Sequence, residues 1–208
     1  MSQNTRASEN VAANRKLGRR LMNERNAMVR RGEEPHEGAP LGSTFDLPPG
    51  VEQVFTEFRT CEFSTLARDG APITWPLITL WQPEEQRFVL TTSIGLPNKA
   101  FNARRDGRVS LLFSDPTASG LQDPPAVLVQ GDAEVPEEIH TSPNDLGEYW
   151  KRIWKIQPAG KTYGSNVLTR SPMDWYYMRL YIYVRPRRIL VWPDGDLAKP
   201  PMEVYHVD

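Results

Sequence analysis

Thr91, Thr92 and Ser93 stand in a row, followed by Gly95, Pro97 and Lys99, within the stretch LTTSIGLPNKAFNARR from Leu90 to Arg105. A strand ending in three hydroxyls delivers donors to a glycine-softened turn, and Pro97 suits the first turn of a helix that follows. Free backbone N–H groups, the positive end of that helix and the Lys99 charge then converge on one corner. These are the groups a phosphate monoester needs. A second reading uses the same residues: Thr and Ser end a strand and cap a helix, and Lys99 is solvated. The spacing excludes a Walker loop, which needs Gly-x-x-x-x-Gly-Lys-Ser/Thr, and a dinucleotide fingerprint, which needs Gly-x-Gly-x-x-Gly after a strand. A single phosphate fits this corner better than a triphosphate or pyrophosphate.

Other reactive residues carry less. Cys61 is the only cysteine, so an intrachain disulfide and a cysteine-rich metal site are excluded, and it reads as a small apolar strand residue. His36, His140 and His206 lie far apart, each in a polar, Pro-flanked or terminal setting without a second ligand at metal-binding spacing, and read as solvated. No Gly-x-Ser-x-Gly elbow anchors a serine triad. The carboxylate pairs Glu84/Glu85, Glu137/Glu138 and Asp194/Asp196 sit in turn-like segments and read as solvated charges. Neither a catalytic constellation nor a metal site is expected.

The elements that must position the corner are mostly strands. PPGVEQVFTEFR predicts a short helix from about Val51 to Arg59, with Val51, Val54, Phe55 and Phe58 on its apolar face. CEFSTLA, APITWPLITLW and RFVLTTS, separated by the turns RDG and QPEEQ, predict three strands of an antiparallel meander. In the middle strand Ile73, Trp75, Leu77, Thr79 and Trp81 share one face, and Thr74, Ile78 and Leu80 the other. Pro76 removes a ladder donor and marks an edge, a bulge or a barrel opening. A helix from Pro97 to Arg105 leads to core strands in GRVSLLFSD and AVLVQGDAEV. SPNDLGEYWKRIWKI reads as a helix burying Leu146, Tyr149, Trp150, Ile153 and Trp154. Two strand-like runs then bracket Arg185-Pro186-Arg187, before a Pro-rich tail. The expected fold class is mainly β with inserted helices: a six-stranded antiparallel split β-barrel of Greek-key type with an N-terminal helical arm.

That arm occupies residues 1–45 and the barrel domain 46–208. Between Arg6 and Arg31 stand eight Arg or Lys and two Glu, with Leu17, Leu21 and Met28 on one helical face, and RRGEEPHEGAPLGS ends the helix. The arm either packs its apolar stripe on the domain or a second subunit, or contacts nucleic acid or membrane. Globally, 25 basic and 26 acidic residues give a formal charge of -1, so no overall field recruits polyanions. No nucleic-acid or membrane partner is expected. The chain has no span-length apolar run and no secretory pattern at its start, so a cytoplasmic location is expected.

The order FSTLARDGAPITWPLITLW, RFVLTTS, NKAFNARRDGRVSLLFSDP and AVLVQGDAEV resembles the pyridoxamine 5'-phosphate oxidase-like superfamily, FMN-binding split β-barrels and their deazaflavin F420-using relatives. The resemblance spans about Phe63 to Val135, and more loosely the strands up to Trp192; its most specific part is the run from Lys99 to Leu112. It implies a homodimer with a flavin site at the subunit interface. Thr91, Thr92, Ser93, Lys99 and Asn98 would hold the phosphate, and Trp75, Pro76, Leu77, Ile78 and Thr79 would lie along the isoalloxazine ring. The loop before Ala126, the Gln130 strand and Trp192 would complete the pocket from the partner. Trp75 and Leu80 replace the basic residues many members carry there, which lowers the expected affinity for FMN and admits F420 or loss of cofactor. Trp75 either stacks on a ring system or belongs to the core. The Arg-x-His pair of the true oxidase has no match in DGDLAKPPMEVYHVD, so oxidation of vitamin B6 is not expected. The resemblance implies an FMN-dependent oxidoreductase, with an F420-dependent reductase or a non-catalytic flavin- or haem-binding protein as alternatives. In such a site the cofactor carries the hydride chemistry and the protein positions it.

Overall fold

The computed structural model describes residues 47–140, 147–156 and 178–207. The basic arm, Leu146 and His36 lie outside them. Helix α1 spans Pro49–Glu57 and strands β1 to β4 span Cys61–Leu66, Pro72–Leu77, Leu80–Gln82 and Arg87–Ser93. Helix α2 (Asn98–Arg105), strands β5 (Arg108–Phe113) and β6 (Ala126–Glu134), helix α3 (Gly147–Ile156) and strands β7 (Arg179–Trp192) and β8 (Met202–His206) follow.

The strands form one sheet in the order β2-β1-β5-β6-β7-β4-β3, with β8 added to β7. The pairs β1–β2, β1–β5, β3–β4, β5–β6, β6–β7 and β7–β8 are antiparallel. This is the expected split-barrel class. The strand number is eight among the described residues, however, not six.

Both extra strands have local causes. The predicted run through APITWPLITLW is two strands, because after Leu77 the chain leaves β1 and from Leu80 it pairs with β4. Pro76 lies just before that break, and Pro72 and Pro76 share one edge of β2, which is the terminal strand of the path. Proline is tolerated where its missing N–H faces away from the ladder. Ile73, Trp75, Leu77, Thr79 and Trp81 therefore do not form one continuous strand face. The Pro-rich tail contains β8, which pairs along Arg188–Val191.

The two runs around Pro186 are one 14-residue strand. A bulge absorbs the proline: Gly131 pairs with Pro186 and Gln130 with Arg188, leaving Arg187 as the extra residue. Backbones approach so closely there that a Cβ on Gly131 would lie 2.3 Å from the Arg185 carbonyl oxygen.

By internal contacts the chain divides into two units. The described parts of one are 47–90, 101–134 and 182–207; those of the other are 91–100, 135–140, 147–156 and 178–181. The larger unit has an aromatic centre. Phe55 from α1 meets Trp81 at 5.3 Å, Phe88 at 4.7 Å and Phe113 at 5.2 Å between ring centroids. Val51, Val54, Phe55 and Phe58 are all buried, as the helical spacing predicts. Cys61 and Leu111 are buried strand residues in the same core.

Candidate functional site

The smaller unit contains the hydroxyl-rich corner, with Thr91, Thr92 and Ser93 closing β4 and Asn98 and Lys99 opening α2. Thr91, Thr92, Ser93 and Lys99 are buried, and Asn98 is exposed. Lys99 is not the solvated lysine of the plainer reading, since only 9% of it is exposed. Its Nζ donates to Thr92 Oγ1 at 3.0 Å and to the Leu96 carbonyl at 3.4 Å, while the Thr92 hydroxyl donates to the same carbonyl at 2.7 Å. Burial, and then the charge of Arg179, lower the Lys99 pKa from its ordinary 10.5.

Several turn amides expected to face a ligand are already used. The N–H of Ile94 donates to Met178 O, that of Gly95 to Ser93 Oγ, and that of Leu96 to Ser93 O. The amides left for an anion are those of the first turn of α2. The side-chain hydroxyl of Thr91 is buried and has no hydrogen-bond partner among the described residues, whereas its backbone N–H donates to the Tyr149 hydroxyl at 3.2 Å. Tyr149, Trp150 and Ile153 are the buried face of α3, as predicted, and Trp154 is only half-buried.

Arg179 was not among the expected site residues. It is 8% exposed, its guanidinium carbon lies 5.2 Å from the Trp150 ring centroid, and its charge reaches Lys99. Its signal in the sequence is an arginine opening the apolar run RLYIYV. His140 also departs from expectation: it is not solvated but stacked on Tyr181, with ring centroids 3.7 Å apart, and its side chain is 14% exposed. His206 faces Glu203 at 3.4 Å.

The other predicted site residues belong to the larger unit. Trp75, Pro76 and Leu77 form the end of β2, and Ile78 and Thr79 are buried in the two-residue break. Trp75 is half-buried on a terminal strand, so the core reading does not hold. Gln130 is exposed on β6. Trp192 closes β7, and its indole N–H donates to the backbone carbonyl of Lys199 at 2.7 Å. Asn102, quoted in the Lys99 to Leu112 run without a role, ties α2 to β1: its amide donates to Thr65 Oγ1 at 3.2 Å, and Arg105 donates to its carbonyl at 3.1 Å and to Leu66 O at 2.6 Å. Glu84, Glu137, Glu138, Asp194 and Asp196 are exposed and Glu85 is half-buried; at the surface Glu85 meets Arg87, and Asp194 and Asp196 meet Lys199. Among the described residues no group of His, Cys, Asp and Glu is placed to hold a metal, and no helix is long and apolar enough to cross a membrane.

Chemically, the corner offers two buried cations, an unpartnered hydroxyl and a helix start, which fit one phosphate. No family model matches the chain, and no curated protein matches it. Solved structures do share its fold. One is 16% identical over 74% of this chain and 88% of its own length, with a TM-score of 0.50. An F420 reductase is 21% identical over 69% of this chain and 98% of that one, with a TM-score of 0.47. A Clostridium acetobutylicum protein related to general stress protein 26 of B. subtilis, of the pyridoxinephosphate oxidase family, is 10% identical over 74% and 89%, with a TM-score of 0.48.

Proposed function

We infer, for a chain with the pyridoxamine 5'-phosphate oxidase-like split-barrel fold, that the corner of Thr91, Thr92, Ser93 and Lys99 holds the phosphate of FMN and that the protein is a flavin-dependent oxidoreductase. The observation that carries this reading is the buried Lys99 ammonium, held against Thr92 in reach of the Arg179 charge. A fixed ammonium among hydroxyls at the start of a helix, with a second cation acting on it, is the set of groups that a phosphate monoester takes up. Arg179 offsets in part the basic residues missing at Trp75 and Leu80.

Bound flavin would supply hydride transfer to or from a small organic substrate, and the side chains of this chain bind and orient it. Lys99 and Arg179 neutralise the phosphate charge, while Thr91, Thr92 and Ser93 offer hydroxyls and Asn98 an exposed amide beside them. Trp75 to Thr79 are the residues the resemblance assigns to the ring, and Trp75 is half-buried on a terminal strand. A homodimer is part of the same proposal, and the apolar, largely exposed β2 supports it, with Ile73 38% exposed.

Titration of the purified protein with FMN and with F420, followed by fluorescence, tests the reading. Saturable binding of FMN that weakens in Lys99→Met supports it. Preference for F420 moves the chain to the deazaflavin alternative, and binding of neither refutes a flavin site. Sedimentation equilibrium tests the dimer.

A further inference from the structure

On the larger unit the strand register lines up polar residues from six strands. Thr74 is opposite Ser64, Ser64 opposite Ser110, Ser110 opposite Gln130, Gln130 opposite Arg188, and Arg188 opposite His206. Directly paired residues project to the same face of a sheet, so this is one continuous row. The adjacent row is apolar at its centre, with Leu112 opposite Leu128 and Leu128 opposite Leu190, and ends in Glu62 and Glu203. From Ser64 to His206 the polar row crosses four strand spacings of about 4.8 Å, or about 19 Å.

All of this row except Thr74 lines an open groove of about 460 Å³, joined there by Arg108, Asp132 and Arg187. The bulge on β7 gives the groove its charge. Before it the even-numbered residues Ile182, Val184 and Pro186 are buried, and after it the odd-numbered Ile189 and Val191 are. At the change of phase Arg187 and Arg188 are both exposed, where strict alternation would bury one of them.

Much hydrogen-bonding capacity remains in the groove. Arg187 meets Asp132 only at 3.6 Å, beyond hydrogen-bond length. Arg188 uses its Nε–H on Glu203, and Arg108 uses Nε and one terminal nitrogen on Asp106, so each keeps further N–H donors of its five. Among the described residues the Ser110 hydroxyl and the Gln130 side-chain amide have no hydrogen-bond partner. Asp132 is an acceptor beside them.

We propose that this groove binds an elongated, hydroxyl-rich organic anion of the sugar phosphate or sugar acid class. Arg108, Arg187 and Arg188 take the charged group, and Gln130, Ser110, Ser64 and Asp132 take the hydroxyls. Length, arginines on both β5 and β7 and a line of neutral donors and acceptors together select this class; an apolar ligand would leave the row unsatisfied. Gln130 is shared with the set assigned to the flavin, and the other residues of the groove are not in that set.

Calorimetric titration of the full chain with glucose 6-phosphate, gluconate, glucose and inorganic phosphate tests it. Saturable binding of glucose 6-phosphate, gluconate or both is expected, and which one binds separates phosphate from carboxylate recognition. Glucose and inorganic phosphate should bind at least about tenfold more weakly, since each lacks half of the contacts. Arg187→Gln and Arg188→Gln should each weaken binding by about tenfold or more. Ser110→Leu, which fills the groove without removing charge, should abolish it while the melting curve stays cooperative. Lys99→Met should leave it unchanged. Binding of neither charged sugar, binding that survives the arginine variants, or binding lost in Lys99→Met would overturn the proposal. So would a change from dimer to monomer in Arg188→Gln without sugar binding, which would make this face a contact between copies.

Discussion

Lys99 reaches back seven residues to put its Nζ 3.0 Å from the hydroxyl of Thr92, joining the start of α2 to the end of β4. The bond fixes the ammonium at the corner before any ligand arrives. Replacing it with the apolar Lys99→Met should weaken FMN binding by about tenfold to hundredfold, the worth of one charge-assisted hydrogen bond. Fluorescence titration measures the loss, and an unchanged far-ultraviolet circular dichroism spectrum shows that the fold survives.

The lowered pKa of Lys99 also predicts a dependence of stability on pH. Between its folded pKa and its ordinary value of 10.5, the unfolded chain keeps the proton that the folded chain has released. More protons bound when unfolded means that stability rises with pH through that window. The burial cost of the charge is fully present below the window and gone above it. Urea denaturation of wild type minus that of Lys99→Met should show this rise. The subtraction also removes the opposite contribution of Tyr205, whose pKa burial raises above 10.0. A difference that stays flat through the alkaline range would contradict the burial of Lys99.

Gly131 permits a backbone approach that no other residue fits, since its Cβ would lie 2.3 Å from Arg185 O and 3.1 Å from Val184 Cγ1. Gly131→Ala should destabilise the protein by about 1–3 kcal/mol through forced displacement of β7. The urea midpoint should fall with its slope unchanged.

Phe55 contacts three other aromatic rings, so its truncation opens the centre of the larger unit. Phe55→Ala should cost about 3–5 kcal/mol. Thermal unfolding checks this, with the exposed Ile73→Ala as a control that shifts far less.

Where alternation or helical spacing was unbroken, the sequence was a reliable guide. Val51, Val54, Phe55 and Phe58 fall on the buried face of α1, and Tyr149, Trp150 and Ile153 on that of α3. Legibility failed where a tertiary partner decides the outcome. Nothing local in APITWPLITLW shows that its first half pairs with β1 and its second with β4, although Pro76 marks the vicinity of the change. Arg185-Pro186-Arg187 looks like an interruption until Gly131, on another strand, supplies the room for a bulge. At the corner, the hydroxyls and Lys99 were visible as neighbours in sequence, while Arg179, 80 positions further along, joins them only through folding. The partner-side assignments to Gln130 and Trp192 come from resemblance, and here Trp192 spends its only side-chain donor on Lys199 O.

Ile78 and Thr79 have a mechanical consequence. They separate the two terminal strands of the sheet path, in which, among the described residues, β2 pairs with β1 and β3 with β4. The passage from β2 to β3 is therefore one short stretch of chain whose two side chains are packed inside the protein. Any movement of one terminal strand against the other has to repack Ile78 and Thr79, so this corner acts as a stiff joint and not as a free hinge.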